Sequence, residues 1–241
     1  MNRPADASPL ATATALIATA QAMCAVGLNS GVAGNLSCRL LCDGRAGFLI
    51  TPSGMDYAAL TPEDIPWVAM DGQQEGRYPP SSEWRMHRDI YAACPDAGAV
   101  LHAHSPFAVS LACLRRDIPP FHYMIARFGG DTIRCGAYAL FGTQELSDAA
   151  LAALRDRSAC LLANHGMLLY GDNLKETLAR GVELEALCEH YARALHIGAP
   201  VLLTAEEMSA VRERFKTYQR KECGKGNVEQ VKIRHSLDKR E

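Results

Sequence analysis

Two histidines interrupt a short apolar run that extends from Ala99 to His104. Successive side chains of a β-strand point to opposite faces, so His102 and His104 lie on the same face. Two adjacent imidazoles are poorly accommodated unless a cation lies between them, and a divalent metal ion is the usual cation. The run therefore predicts a strand that carries two metal ligands.

A third histidine, His165, interrupts a second apolar run between Leu161 and Leu168. Gly166 follows it and permits a sharp turn or a close approach of the backbone. Three histidines with one open position are typical of a catalytic zinc, whereas structural zinc sites are closed and rich in cysteine. The competing interpretation is that the three histidines are buried in the core with ordinary hydrogen-bond partners.

The other histidines carry weaker signals. His87, His190, His196 and His235 fall at helical or tail positions, and we interpret them as surface or helix-face residues. The pattern around His122 leaves its role open.

Three short segments combine small residues with accessible backbone amides: Gly34-Asn35, Ser53-Gly54 and Ser81-Ser82. The last one precedes a predicted helix, and helix N-termini bind phosphate through free N–H groups and the helix dipole. Glu83 follows in the first helical turn, where the dipole favours an ionised carboxylate that suits either a metal ligand or a general base. The chain has no GxGxxG motif after a strand and no P-loop, which excludes nucleotide sites of those kinds.

Strand-like and helical patterns alternate along the chain, and no linker, internal repeat or low-complexity tract divides them. The main predicted elements are helices at Ser81–Ala93, Ser147–Arg155 and Leu174–His196, strands at Leu36–Leu41 and Ala99–His104, and a strand pair or strand-turn at Ala159–Tyr170. We therefore expect one α/β domain over residues 1–222. Residues 223–241 are strongly charged and are expected to form a partly ordered tail.

Composition limits the classes of partner. The formal net charge of −2 supplies no global basic field for nucleic acid. No stretch approaches the ~20 uninterrupted apolar residues of a membrane-spanning helix. The nine cysteines form no CxxC pair, which disfavours a secreted disulfide framework. We expect a soluble, cytoplasmic protein without a nucleic-acid or membrane partner.

Ordered motifs from about Leu16 to Tyr218 resemble those of the class II aldolase/adducin family. These motifs are Gly27-Leu28-Asn29, Ala33-Gly34-Asn35, Ile50-Thr51-Pro52-Ser53-Gly54, Pro80-Ser81-Ser82-Glu83-Trp84-Arg85, His102-Ala103-His104, His122-Tyr123-Met124-Ile125-Ala126, Phe141-Gly142-Thr143, Asn164-His165-Gly166 and Phe215-Lys216-Thr217-Tyr218. The separations between the carboxylate, the histidine pair and the last histidine also match the family. The resemblance implies a central, mostly antiparallel β-sheet flanked by helices.

The resemblance further implies a zinc-dependent aldolase that cleaves a ketose 1-phosphate. The first expected substrate is L-fuculose 1-phosphate, which gives dihydroxyacetone phosphate and L-lactaldehyde. One zinc ion per chain is implied at His102, His104 and His165, where it acts as a Lewis acid during cleavage of the C3–C4 bond. Glu83 is implied as an extra ligand without substrate and as the proton-transferring base with substrate. The implied phosphate-binding residues are Gly34, Asn35, Ser53, Gly54, Ser81 and Ser82.

Aromatic residues are implied at the aldehyde end of the substrate. Tyr123 matches a tyrosine that handles the proton on the aldehyde-derived oxygen and reaches in from a neighbouring subunit. Phe141, Phe215 and Tyr218 match the apolar wall and the C-terminal tyrosine of that end. A site shared in this way implies the four-fold homotetramer of the family.

The chain departs from the family pattern at several positions near the expected site. Asn164 precedes His165 where another histidine is familiar, and Ser105 follows the histidine pair where alanine is familiar. The loop from Leu40 to Gly47 is slightly longer than usual. The charged tail follows Tyr218 directly, so the closure of the site's mouth is left open.

Three other functions compete with the first expectation. An aldolase for 5-deoxy- or 5-methylthio-pentulose 1-phosphates would share the zinc and phosphate half of the site, and the motifs do not separate it. A ribulose-phosphate 4-epimerase carries aspartate in place of Glu83 and lacks the tyrosine matching Tyr123. A non-enzymatic adducin-like module would lack the metal histidines, and all three are present.

Overall fold

The structure is a computed structural model that describes the chain from residue 8 to residue 223, with side chains for residues 8–217. The helices are α1 (Pro9–Ala25), α2 (Trp84–Ala93), α3 (Pro106–Ala112), α4 (Gln144–Leu154), α5 (Leu174–Ile197) and α6 (Ala205–Cys223). The strands are β1 (Asn35–Cys42), β2 (Arg45–Ile50), β3 (Trp67–Ala69), β4 (Gln74–Glu75), β5 (Ala99–Ala103), β6 (Arg134–Gly136), β7 (Ala159–Leu162) and β8 (Gly166–Gly171). The predicted tail lies outside the described residues apart from Cys223, so its separation from a domain of residues 1–222 stays a prediction.

The described strands form one sheet in the order β4-β3-β2-β1-β5-β8-β7-β6. Every neighbouring pair is antiparallel except β6 and β7, which are parallel. The predicted strand pair between Ala159 and Tyr170 is the β7–β8 hairpin, whose turn places Asn164 in the left-handed region with φ 53°. The expected α/β fold with a mostly antiparallel sheet is confirmed.

Alternation of side chains along the strands builds a core on each face of the sheet. Leu36 and Leu101 face the core that includes residues of α1, α3 and α5. Ile50, Val100 and Leu168 face the opposite core, which includes residues of α2 and α4. The sheet is therefore the middle layer between two sets of helices.

Two helices begin at other residues than predicted. The Thr143 hydroxyl oxygen accepts from the Leu146 amide at 3.3 Å, so α4 begins at Gln144 and not at Ser147. The Ser81 hydroxyl oxygen accepts from the Glu83 amide at 3.3 Å, and the Ser81 carbonyl accepts from the Trp84 amide at 3.0 Å. These bonds make a turn that precedes α2, and the helix begins at Trp84 instead of Ser81.

The eight cysteines whose side chains the structure describes are free. Between residues 8 and 223, no helix is long and apolar enough to cross a membrane.

Three central strands bring four of the predicted site residues, Asn35, His102, His104 and His165, to the same edge of the sheet, where these strands begin or end. β1 begins at Asn35, β5 ends at Ala103 and β8 begins at Gly166. Because β5 is antiparallel to both neighbours, these three strand ends lie side by side. Asn35 is the direct partner of His102 across the β1–β5 pair.

Candidate metal and phosphate site

Three histidines from two separate segments converge at this edge. His102 belongs to β5, His104 follows that strand, and His165 lies in the turn before β8. One nitrogen of each ring lies within 4.8 Å of a nitrogen of the other two. The ring centroids are 4.7–4.8 Å apart, and the rings are nearly perpendicular to one another. The structure thus brings together the three residues predicted as metal ligands.

The backbone orients the His102 ring. Nδ1 of His102 lies 2.9 Å from the Met167 carbonyl oxygen, which only accepts hydrogen bonds. Nδ1 therefore carries a proton, and in the neutral ring Nε2 presents a lone pair. Nε2 of His102 faces Nε2 of His104 at 2.9 Å. A carbonyl that fixes the tautomer of a metal-binding histidine in this way is a recurrent feature of metal sites.

Glu83 completes the cluster from the turn before α2. Its Oε2 lies 3.2 Å from His102 Nε2, and its Oε1 lies 3.4 Å from His165 Nε2. Glu83 is only 7% exposed, and its Oε1 has no hydrogen-bond partner. Imidazole lone pairs and an unpartnered buried carboxylate oxygen directed at one point are a donor set that fits a divalent cation.

The electrostatics favour metal-binding protonation states at His104, His165 and Glu83. At His102 burial lowers the pKa, but the adjacent Glu83 carboxylate outweighs burial and raises it. Burial and the neighbouring His102 ring lower the pKa of His104 to about 4. The pKa of His165 falls to about 4 for the same two reasons. Burial by itself would raise the pKa of Glu83, but the adjacent histidines and the Asn35 amide outweigh burial and hold that pKa well below its ordinary value. At neutral pH the carboxylate is ionised and both flanking rings are neutral, as metal coordination requires.

A cleft of about 340 Å³ opens beside the histidines. Its lining includes the site residues predicted from sequence at Gly34, Asn35, Ser53, Gly54, Ser81, Ser82, Glu83, His104, Phe141 and His165. The cleft is also lined by Val32, Ala33, Pro52, Tyr138, Ala139 and Asn164, which the motifs had not singled out as site residues. His102 is fully buried and does not line the cleft.

The serine side of the cleft presents free polar groups. The Ser81 hydroxyl oxygen accepts from the Asn35 side-chain amide at 3.0 Å and from the Glu83 amide at 3.3 Å. Its single proton therefore remains available for a further acceptor. Ser53, Gly54 and Ser82 are exposed at the same wall. This wall suits a ligand with several acceptor oxygens, such as a phosphate group.

The aldehyde-side residues predicted from sequence are divided between two surfaces. Phe141 lines the cleft, whereas Tyr123 is not among the lining residues and is 49% exposed. The Tyr123 ring stacks on Phe215 with centroids 6.4 Å apart. Tyr218 lies in α6, and its side chain lies outside the described residues. Within one chain, the structure therefore does not bring Tyr123 or Phe215 to the histidine cluster.

The interpretation of His87 as an ordinary surface or helix-face histidine is wrong. His87 is fully buried, and its Nε2 lies 2.5 Å from Asn35 Oδ1. A signal for this contact was present in the sequence, since Glu83, His87 and Tyr91 follow one another at four-residue intervals on one face of a helix. The exposed rings of His190 and His196 agree with their surface interpretation, and His235 lies outside the described residues. His122 caps the 3₁₀ helix Tyr123–Phe128, where its Nδ1 accepts from the Met124 amide at 3.3 Å.

Comparisons with known proteins agree with this fold. The family model described as the class II aldolase and adducin N-terminal domain matches residues 14–192. A 5-methylthioribulose-1-phosphate/5-deoxyribulose-1-phosphate aldolase from Rhodospirillum rubrum is 52% identical over 88% of this chain and 94% of its own length. The L-fuculose phosphate aldolase of Escherichia coli is 43% identical over 84% of this chain and 93% of its own length. A solved structure of L-fuculose 1-phosphate aldolase superposes with a TM-score of 0.81 at 38% identity and covers 87% of this chain and 100% of its own.

These matches, which extend over most of the chain, show that it belongs to the class II aldolase/adducin family. Within that family it is a class II aldolase, a metal-dependent aldehyde-lyase. The resemblance stated from the motifs is confirmed.

Proposed function

We propose that the protein is a zinc-dependent aldolase that reversibly cleaves a ketose 1-phosphate to dihydroxyacetone phosphate and an aldehyde. One observation carries the proposal: the buried Glu83 carboxylate faces His102 and His165 beside a cleft with a serine-rich wall. This arrangement supplies a cation site, a base and a phosphate-binding wall within one cleft.

His102, His104 and His165 would hold the metal, with Glu83 as the further ligand before substrate binds. Three histidines in a site that leaves a coordination position open favour zinc. When bound, the ion supplies Lewis-acid stabilisation of the charge that develops on the substrate oxygens. The neutral rings of His104 and His165 bind it at pH 7 without first losing a proton.

The serine-rich wall orients the substrate. The hydroxyl groups of Ser53, Ser81 and Ser82 and the backbone at Gly34 and Gly54 are the proposed donors to the phosphate group. Asn35 spans the two halves of the site, since its Nδ2 donates to Ser81 Oγ and to Glu83 Oε2, each at 3.0 Å. The phosphate and the base are thereby held in a fixed relation.

Glu83 and Tyr123 are the proposed proton carriers. In the condensation direction, Glu83 takes the proton from C3 of dihydroxyacetone phosphate, and in cleavage it returns that proton to the same carbon. Tyr123 carries the proton of the aldehyde-derived oxygen. Because Tyr123 and Phe215 lie together away from the cleft of their own chain, they would serve the cleft of a neighbouring subunit in a homotetramer.

The proposed substrates are 5-methylthioribulose 1-phosphate and 5-deoxyribulose 1-phosphate, ahead of L-fuculose 1-phosphate. The motifs placed L-fuculose 1-phosphate first, but the R. rubrum relative that is named for the other two substrates has the higher identity, 52% against 43%. The cleft also has apolar lining at Val32, Ala139 and Phe141. Such a surface suits an aldehyde that ends in a methyl or methylthio group.

A coupled assay of dihydroxyacetone phosphate release tests the proposal. Zinc-loaded protein is given the three ketose 1-phosphates. Ribulose 5-phosphate is the control for epimerisation, which releases no dihydroxyacetone phosphate and is followed separately through formation of the epimer. We expect the highest kcat/KM with 5-methylthioribulose or 5-deoxyribulose 1-phosphate. A higher kcat/KM with L-fuculose 1-phosphate would reverse the order of substrates, and no release from any of the three would overturn the aldolase assignment.

A further inference from the structure

A continuous chain of buried side chains runs from the core between α2 and the sheet to Glu83. Tyr91 Oη lies 2.7 Å from Ser37 Oγ, and Ser37 Oγ lies 2.7 Å from His87 Nδ1. His87 Nε2 then contacts Asn35 Oδ1 at 2.5 Å, and Asn35 Nδ2 lies 3.0 Å from Glu83 Oε2. The five residues are between 0% and 7% exposed, so water does not substitute for these partners.

The donor and the acceptor of each hydrogen bond follow from the Glu83 carboxylate, which is the last acceptor in the series. A carboxylate only accepts, so the amide nitrogen of Asn35, and not its oxygen, faces Glu83. The Asn35 oxygen then faces His87, and it accepts only if His87 carries its proton on Nε2. Burial lowers the pKa of His87 to about 3, so the ring is neutral and its Nδ1 accepts from the Ser37 hydroxyl. Ser37 in turn accepts from Tyr91, and all donors point toward Glu83.

The opposite orientation of the Asn35 amide is energetically unfavourable next to Glu83. If the Asn35 amide were rotated by half a turn, its oxygen would face the Glu83 carboxylate, and two acceptors would oppose each other in a buried position. His87 with its proton on Nε2 disfavours that rotation, because the rotated amide would place N–H against N–H. The tautomer of His87 thus selects the Asn35 orientation that donates to Glu83.

We propose that His87 is a positioning residue for catalysis, which orients the Asn35 amide and thereby holds Glu83 in its proton-transferring position. Ser37 sets the required tautomer, and Tyr91 supports Ser37. This inference rests on the proposed role of Glu83 as the base. It assigns a role in the reaction to His87, Ser37 and Tyr91, which do not line the cleft.

The first test is the tautomer itself. In zinc-loaded protein labelled with [15N]histidine, the His87 ring signals, assigned by their loss in His87→Gln, should show a protonated Nε2 and an unprotonated Nδ1. In Ser37→Ala, which removes the donor to Nδ1, the signal should move toward the other tautomer. A wild-type ring protonated on Nδ1 would overturn the proposal, and this readout holds whether or not the substrate assignment is correct.

The second test separates positioning from folding. His87→Leu removes the donor to Asn35, whereas His87→Gln keeps an N–H near the position of Nε2. We expect kcat to fall on the order of 10- to 100-fold in His87→Leu, with zinc content near that of the wild type, and to recover largely in His87→Gln. Ser37→Ala should also lower kcat, and it replaces His87→Leu in this test if His87→Leu does not fold. His196→Gln, an exposed position at the end of α5, is the control.

The two proposals fail in different ways. Protein that cleaves ketose 1-phosphates while His87→Leu and Ser37→Ala keep their full kcat would overturn the positioning role and leave the aldolase proposal standing. Equal losses of kcat in His87→Leu and His87→Gln would also overturn the positioning role, because the N–H donor to Asn35 would then not be required.

Discussion

Asn35 and His102 are direct partners in the β1–β5 register, and both contact the same oxygen of Glu83. Asn35 Nδ2 lies 3.0 Å and His102 Nε2 lies 3.2 Å from Glu83 Oε2. The face of the sheet on which they lie is otherwise packed with apolar residues such as Ile50, Val100 and Leu168. The cross-strand pair thus places an amide donor and a proposed metal ligand within hydrogen-bond distance of the same carboxylate oxygen of Glu83, the proposed base.

Glu83→Gln should retain the metal and lose turnover. The three histidines remain as ligands, but an amide does not take up the C3 proton, so we expect kcat to fall about 10²- to 10⁴-fold with little change in zinc content. The rate of dihydroxyacetone phosphate release and the zinc content measured by mass spectrometry check this. Glu75→Gln, at an exposed ion pair with Arg45, is the matched control. Unchanged turnover in Glu83→Gln would remove Glu83 from the role of base.

Removal of the metal should abolish activity and lower thermal stability together. A ligand that binds only the folded state stabilises it by about 4 kcal/mol at a free concentration 1,000 times its Kd. Chelated protein should therefore melt at a lower temperature, and added zinc should restore both melting temperature and activity. His104→Ala should lose most of this response, whereas His196→Ala should keep it. Full activity of a metal-free preparation would contradict the metal-dependent mechanism.

Gly34→Ala should destabilise the protein because the backbone and its neighbours leave no room for a side chain. Gly34 has φ +79°, and an added Cβ would lie 2.5 Å from the Asn29 side chain and 2.7 Å from the His102 carbonyl oxygen. We expect a loss of about 3 kcal/mol in the free energy of unfolding, measured by urea denaturation. Gly31→Ala has a similar φ of +66° but open space around it, so it should cost only about 1 kcal/mol. Equal losses would show that the collision at Gly34 is relieved at no cost.

His87 should make the stability of the protein depend on pH below neutrality. Its pKa in the folded state is lowered to about 3, mainly by burial, against roughly 6.5 in an unfolded chain. Above pH 6.5 the His87 ring is neutral in both the folded and the unfolded state, so its titration costs no stability. As the pH falls from 6.5 toward 3, the free energy of unfolding decreases, because only the unfolded state takes up the proton. Between pH 8 and pH 5 this loss is about 2 kcal/mol.

Urea denaturation of zinc-loaded protein at the two pH values measures that loss. The wild type should lose about 2 kcal/mol more than His87→Gln, which has no titrating ring at this position. Identical pH dependence in the two proteins would show that His87 is protonated in the folded state or is not buried in solution.

Local patterns identified the side chains of the candidate site but not their partners. The two-residue period of a strand placed His102 and His104 on one face, and the interrupted apolar run identified His165. The same reasoning left His87 among the surface or helix-face histidines, although it lies one helical turn after Glu83, the residue that precedes α2. Periodicity states which way a side chain points, but it does not state which strand lies opposite.

The predicted starts of α2 and α4 failed for a related reason. Ser81 is a favourable cap in isolation, yet its hydroxyl accepts from both Asn35 and Glu83, and the helix begins later. For α4, Thr143 supplies an earlier cap than Ser147, so the helix begins at Gln144 and Ser147 is buried inside it. Capping preferences are weak compared with the contacts that surround the finished helix.

The amino-acid sequence by itself determined the donor types, the family motifs and the alternation of strands and helices, because these depend on residues close together in the chain. Only the tertiary structure decided which atoms meet. The β1–β5 register sets Asn35 opposite His102, the packing of α2 on the sheet buries His87 against Asn35, and Tyr123 lies away from the cleft of its own chain. These relations join segments that are distant in sequence, and they follow from the packing of the whole fold around two buried cores.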